Sequence, residues 1–303
     1  MRVVVDAGGL ATHPMELAML PGVPSYLLLV ARACRAAGAD THIIMAEHLE
    51  TVVDGISYWP VGRHPQVCDV FITSKREAPA YIRAEKVISG DSLWGIAPPI
   101  RMLNGAAKIP GKLVWMAGAN RGLWHLMELW PALKAPCPNA TLVIGHRFTD
   151  YYETMCWQHD FQGIMVRQVR AWADQNPEVS LLGLEERDNI ERHLAEAEVF
   201  AYPCDPILPV KGHRSLSAYE AAGAGCALLF TPVERLGEDF DGVAGFIENP
   251  WHHDEWVCVL ESWLKNRDVL EKWQAQAKAF AKGRSWNKYV RTWQEVLHAT
   301  EKG

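Results

Sequence analysis

Residues 198–230 read EVFAYPCDPILPVKGHRSLSAYEAAGAGCALLF. Two apolar runs, EVFAYP (198–203) and CALLF (226–230), have the length of buried strands, and neither alternates in polarity. Between them stand a Pro-rich loop and a stretch of Ala, Gly and Ser around one carboxylate, Glu220, which reads as a helix. Strand, helix and strand in that order imply parallel strands joined by a right-handed crossover. Ala221, Ala222, Gly223 and Ala224 are small enough to let this helix lie close on its sheet. A lone carboxylate near the start of such a helix has two readings. It either answers the helix dipole, worth under about 1 kcal/mol, or it faces a ligand.

The same unit recurs outward from this stretch. KLVWMAG (112–118), TLVIGH (141–146), VSLLG (179–183) and AGFIE (244–248) read as strands. RGLWHLMELWPALK (121–134) is a helix, 150–175 is a long amphipathic stretch, and the chain from Trp251 to about Thr300 is helical. Towards the N-terminus, RVVVDA (2–7), THIIMA (41–46), VCDVFIT (67–73) and EKVISG (85–90) are strands. The helix at 24–40 stops at Gly38. Pro and Gly punctuate 104–111. The expected fold class is α/β, with two parallel-sheet layers joined near residues 104–111.

Composition narrows the function. The 303 residues suffice for two cores, and 49% apolar with 22% charged residues is globular rather than disordered composition. A net charge of −6 argues against nonspecific nucleic-acid binding. Seven cysteines without a C-x-x-C pair suit reduced thiols in a cytoplasmic protein. The N-terminus lacks the pattern of a signal peptide, and no apolar run approaches the ~18 residues of a membrane span. No integral membrane segment is expected.

In open parallel sheets, ligands sit beyond the carboxyl ends of the strands, where helix N-termini present free N–H groups. Three loops qualify. DAGGLATHP (6–14) places Gly8 and Gly9 after the first strand, and it fits neither the G-x-G-x-x-G fingerprint nor a P-loop. MAGANRGL (116–123) carries Gly118, Asn120 and Arg121 into a helix, a natural phosphate clamp. The third leads through Asp205 and Lys211 to Glu220. Asp239-Phe240-Asp241 resembles a metal-binding DxD, but it lies in a loop before the final strand. Trp251-His252-His253-Asp254-Glu255 reads as a helix start, with its acids in the first turn. His13, His125 and His193 have no ligand spacing. His193 suits a solvated helix face, and His125 is either near the site or simply packed.

In order and spacing, residues 112–250 resemble the nucleotide-binding domain of retaining GT-B glycosyltransferases, the glycogen-synthase-like group (glycosyltransferase family 4). GANRGLWHLMELWPAL is similar to that family's phosphate loop. PNATLVIGH, VSLLG, AEAEVFAYP, SAYEAAGAGCAL and EDFDGVAGFI match its later motifs in order. PGVPSYLLLVARACRAAGADTHIIM, MLNGA and SWNKYVRTWQEVL match the first domain, the segment before the second domain and the last helix more loosely. The resemblance implies GT-B architecture: two Rossmann-like parallel-sheet domains facing a cleft, a shortened acceptor-side N-terminal domain at 1–108, a nucleotide-sugar-binding domain at 109–284, and a final helix at 285–303 crossing back to the first. It implies a nucleotide-diphosphate sugar as donor, transfer with retention, an acceptor it does not identify, and no metal or other cofactor. The leaving phosphate would help deprotonate the acceptor on one face. Arg121 would hold the diphosphate, with Lys211 and His213 as further catalytic groups. Gly9, Gly118, Asn120, Ser215, Leu216 and Ser217 would line the donor. The backbone at Gly183 and Leu184 would face the base, and Glu220 would hold the ribose as the second glutamate of a Glu–seven residues–Glu motif.

The first glutamate of that motif falls at Gly212, for which His213, Asp205 or Lys211 would have to substitute. Arg214 is a second candidate, beside Lys211, for a missing basic group in the phosphate loop. Two other readings stay open. One is transfer onto a modified DNA base, with Arg63, Lys75, Arg76, Arg83 and Lys86 as a basic patch. The other is a non-catalytic protein that binds a nucleotide sugar or a partner chain.

Overall fold

The structure, a computed structural model, describes residues 1–7, 22–45, 50–60, 62–74, 78–89, 92–93, 95–103, 105–145, 161–183, 187–205, 215–233 and 235–299. The chain divides into two compact units, Met1–Pro99 with Arg284–Gly303, and Ile100–Gly283.

The first unit is built on a six-stranded sheet. It begins with β1 (Arg2–Asp6), α1 (Gly22–Ala36) and β2 (Asp40–Met45), the strand–helix–strand unit the apolar spacing predicts. A pair of short strands follows, β3 (Thr51–Val53) and β4 (Ile56–Pro60), and then β5 (Val67–Thr73) and β6 (Arg83–Ser89). The order across the sheet is β3-β4-β2-β1-β5-β6, and only β3 runs antiparallel to its neighbour. The β3–β4 hairpin is absent from the sequence reading. Its two-residue turn is Asp54-Gly55, both with positive φ (54° and 72°), the pairing that a turn matched to strand twist requires. At the carboxyl ends of β1 and β5, the Thr73 hydroxyl donates to the buried Asp6 carboxylate at 3.2 Å.

The second unit carries β7 (Lys112–Trp115), α2 (Leu123–Lys134), β8 (Thr141–Gly145), α3 (Phe161–Gln175), β9 (Val179–Leu182), α4 (Arg187–Glu196) and β10 (Val199–Tyr202). It continues with α5 (Leu216–Ala224), β11 (Ala227–Phe230), α6 (Leu236–Asp239), β12 (Gly245–Phe246), α7 (His253–Lys265) and α8 (Arg267–Lys282). Its sheet is fully parallel, in the order β12-β11-β10-β7-β8-β9. The last helix, α9 (Trp286–His298), belongs to the first unit and packs on α1. The helical C-terminus is thus three helices. Asn266 and Ser285 cap α8 and α9, accepting from the N–H of Val269 and Lys288.

The sequence places the junction near 104–111, and in the structure residues 100–103 and 105–110 pack within the second unit. Leu103 N–H donates to the Gly223 carbonyl (3.0 Å) and Ile109 N–H to Glu196 (2.8 Å). The Lys108 amine donates to the carbonyls of Ala197 (2.5 Å) and Ala224 (2.9 Å), at the C-terminal ends of α4 and α5, where a cation is favoured. This close approach explains Gly223. A Cβ there would lie 2.2 Å from the Arg101 carbonyl oxygen, so the glycine serves the incoming chain. No described helix is long and apolar enough to cross a membrane.

Candidate functional site

The winding of the second sheet decides where a ligand fits. From β7 the chain moves outward to β8 and β9, returns to β10, and then moves outward the other way to β11 and β12. With right-handed crossovers, the helices after β7 and after β10 fall on opposite faces of the sheet. The loops leaving the carboxyl ends of β7 and β10 therefore part, and this point is where open α/β sheets bind ligands.

The first of these loops is tightly built. The Trp115 indole donates to the Ala117 carbonyl at 2.8 Å. Gly118 accepts from the Arg121 N–H at 2.9 Å, closing a 3-10 turn over Ala119–Arg121. Gly122 follows with φ +105° and opens α2. Arg121 therefore stands on the turn before the helix, half-buried. Gly122 is needed twice over. Its φ is one that side chains avoid, and a Cβ would lie 2.1 Å from the Pro203 carbonyl oxygen and 3.0 Å from the Asp205 nitrogen. The two loops are also joined by a hydrogen bond, from Asp205 N–H to the Arg121 carbonyl at 3.3 Å. The N-caps of α2 and α5, Gly122 and Ser215, make no side-chain cap bond. The Ser215 hydroxyl pairs instead with that of Ser217 at 3.0 Å. Neither N-cap residue therefore closes its own helix start with a side-chain bond.

His125 is fully buried in the first turn of α2. Trp124 stacks on its ring at 3.7 Å, and Trp251 meets it edge-on at 4.9 Å. Its Nδ1 is 3.2 Å from His253 Nε2, and its Nε2 is 3.8 Å from the Asp205 carboxylate, too far for a hydrogen bond. Burial drives its pKa down from 6.5 to about 4, against the opposing pull of Asp205. The imidazole is neutral at neutral pH.

After β10, Glu220 lies in the second turn of α5, one turn past the strongest part of the helix dipole. One oxygen, Oε1, accepts from Arg187 Nη2 at 2.5 Å. Arg187 Nε also donates to Glu191 Oε1 at 2.8 Å, and Arg101 Nη1 reaches the same oxygen at 2.9 Å. Burial works against the Arg187 charge, but the two glutamates outweigh it and its pKa is raised. At the end of β9, Gly183 stands half-buried on the same carboxyl edge of the sheet.

No family profile matches the sequence, and no curated protein does. Solved structures do. A glycosyltransferase from Rickettsia africae ESF-5 superposes with TM-score 0.66 at 12% identity, over 100% of this chain and 99% of that one. Sucrose-phosphate synthase from Thermosynechococcus elongatus gives 0.66 at 9%, over 99% of each chain. WaaG, a glycosyltransferase involved in lipopolysaccharide biosynthesis, gives 0.64 at 11%, over 97% of this chain and 99% of that one. The chain has the GT-B fold.

Within the second Rossmann-like sheet of this GT-B fold, the expected residues fall as follows. Gly118, Arg121 and the backbone of Asn120 sit in the loop after β7, and Ser215, Leu216, Ser217 and Glu220 on α5 and its cap. Gly9, Leu184, Lys211 and His213 lie outside the described residues, as do Gly212, Arg214, Lys75, Arg76 and His13. Asp239, of the DxD-like triplet, accepts a hydrogen bond from the Tyr219 hydroxyl at 2.5 Å, a packing role between α5 and α6. Asp254 and Glu255 fall in the first turn of α7, as expected. His193 is not on a purely solvated face, since its Nδ1 lies 3.2 Å from the buried Lys112 amine. The Lys86 amine reaches the Val296 carbonyl at 3.5 Å. Sequence reasoning missed Arg187. Its spacing to Glu191 advertises only an ordinary helix pair, and nothing local points to Glu220, 33 residues away.

Proposed function

We propose that this protein is a cytoplasmic glycosyltransferase that moves a sugar from a nucleoside-diphosphate donor to an acceptor, with retention of configuration. The observation that carries this reading is the crevice between the β7 and β10 loops. Arg121 precedes the helix that follows β7, and Glu220 stands on the helix that follows β10, in a GT-B fold. Departure of the nucleoside diphosphate leaves charge on the phosphate oxygens. Arg121 and the first-turn N–H groups of α2 and α5 are suited to hold that charge without reorganising. The Glu220 carboxylate accepts hydrogen bonds from the ribose hydroxyls, and the backbone at Gly183 faces the base. Lys211 and His213 are the remaining candidates at the reacting end. As the acceptor oxygen bonds to the anomeric carbon, the bond from that carbon to the phosphate oxygen breaks. The departing phosphate takes the acceptor proton on the same face. No metal enters this scheme. Free cysteines, five of the six described being buried, support the cytoplasmic placement.

The test is thermal unfolding with UDP-, GDP-, ADP- and TDP-sugars, on wild type and Glu220→Gln. A ligand at ~100 times its Kd adds about 2.7 kcal/mol. A shift with one nucleotide, lost in Glu220→Gln, supports the donor site and names the base. Equal shifts in both proteins, or none, overturn it. Release of sugar from the bound nucleotide then separates an enzyme from a protein that only binds, the alternative raised by Gly212.

A further inference from the structure

Glu220 has an unexpected partner. A carboxylate that receives a ribose is expected to wait in water, yet one of its oxygens is already taken by Arg187 at 2.5 Å. Its other oxygen, Oε2, has no partner among the described residues, and the side chain is 30% exposed. Arg187 is itself pinned. It is the first residue of α4, and its Nε is bound to Glu191, whose side chain is only 10% exposed and also holds Arg101. The planar guanidinium spans two carboxylates on two helices, which a point charge on a flexible stem does not do.

We propose that Arg187 is a positioning residue of the donor site, holding one oxygen of Glu220 so that the other is presented to the ribose hydroxyls. The inference rests on the donor reading above. A carboxylate has about four lone-pair positions. With one used by Arg187, enough remain for the two hydroxyls of a cis-diol. A free glutamate in the second turn of a helix would sample several rotamers and lose that freedom on binding. Tied to Arg187 it has lost it beforehand, and preorganisation of this kind is realised as affinity.

The experiment measures binding of UDP, GDP and ADP and of their 2′-deoxy and 3′-deoxy counterparts by calorimetry. The proteins are wild type, Arg187→Ala, Arg187→Gln and Glu220→Gln, with thermal unfolding as the check on folding. Wild type is expected to prefer the ribonucleotide about tenfold over a deoxy form, since the lost hydroxyl leaves a charged acceptor unpaired. In Arg187→Ala the ribonucleotide weakens about tenfold while the deoxy forms change little, so the preference collapses. Arg187→Gln, neutral and a good helix former, carries the same expectation if the alanine variant fails to fold. Arg187→Ala combined with Glu220→Gln binds no more weakly than Glu220→Gln alone. An unchanged ribose preference in a folded Arg187 variant overturns the inference. So does tighter binding, which would make Arg187 a competitor of the ribose. If Glu220→Gln keeps the full preference, or wild type binds none of the nucleotides, the donor reading falls as well.

Discussion

Gly122→Ala tests whether the crevice is built by contact between the two loops. Two costs are distinguishable. Holding alanine at φ +105° costs about 1–3 kcal/mol of backbone strain. The added Cβ also meets the Pro203 carbonyl oxygen at 2.1 Å, a contact that neither rigid backbone can relieve without moving the β10 loop. That displacement costs a further ~1–3 kcal/mol, the usual range for overpacking. Gly105 supplies the control within the same unit. Its φ is +109° and a Cβ there meets nothing within 4 Å, so Gly105→Ala bears the strain alone. Urea unfolding of the two variants should therefore differ by about 1–3 kcal/mol, with Gly122→Ala the weaker. Nucleotide binding should fall in Gly122→Ala and hold in Gly105→Ala, because only the first pushes Asp205 and Arg121 apart. Equal unfolding midpoints for the two variants would refute the close approach of the loops and the crevice with it.

Protonation of His125 supplies a second prediction. Its pKa is about 4 in the fold against 6.5 in a free chain, so between these values the unfolded chain holds a proton the native state lacks. Stability should then fall as pH drops from about 6.5 towards 4, by at most ~3 kcal/mol from this group. Above pH 7 the group contributes no slope. His253, Asp205 and Glu128 face the same cluster, so the comparison is with His125→Phe, whose pH–stability curve should be flatter; an identical curve would dismiss the assignment. In the core of the second unit, the Glu198 carboxylate is 1% exposed. It is held by the Gly111 N–H at 2.8 Å and by the Arg267 guanidinium. Arg267→Met should cost about 3 kcal/mol in urea unfolding, and Glu198→Leu with Arg267→Met should recover much of it. A wild-type midpoint for the single variant would show that the pair contributes nothing.

Much of this architecture was legible because buried parallel strands announce themselves. RVVVD, KLVW, VFAY and ALLF are continuous apolar runs, and each forms a central strand with neighbours on both sides. What escaped was short or edge-like. TVV and ISYWP are too brief and mixed to register as buried runs, although Asp54-Gly55 between them carries the hairpin signal in plain sight. Asn266 likewise marks a break within the C-terminal helical stretch that the sequence reading left undivided.

The sequence by itself determined most of the strands and helices, their alternation, and that Arg121 and Glu220 each follow a strand. Local chemistry suffices for that, since propensity, turn residues and apolar spacing act over a few residues. Only the tertiary structure decided what surrounds those two groups. Strand order brings the Gly122 backbone against Pro203 and sets Arg187 on Glu220 across two helices. It also encloses His125 among Trp124, Trp251, His253 and Asp205, drawn from distant parts of the chain. Such contacts depend on where the crossovers return the chain, a property of the whole sheet that no local pattern of residues encodes.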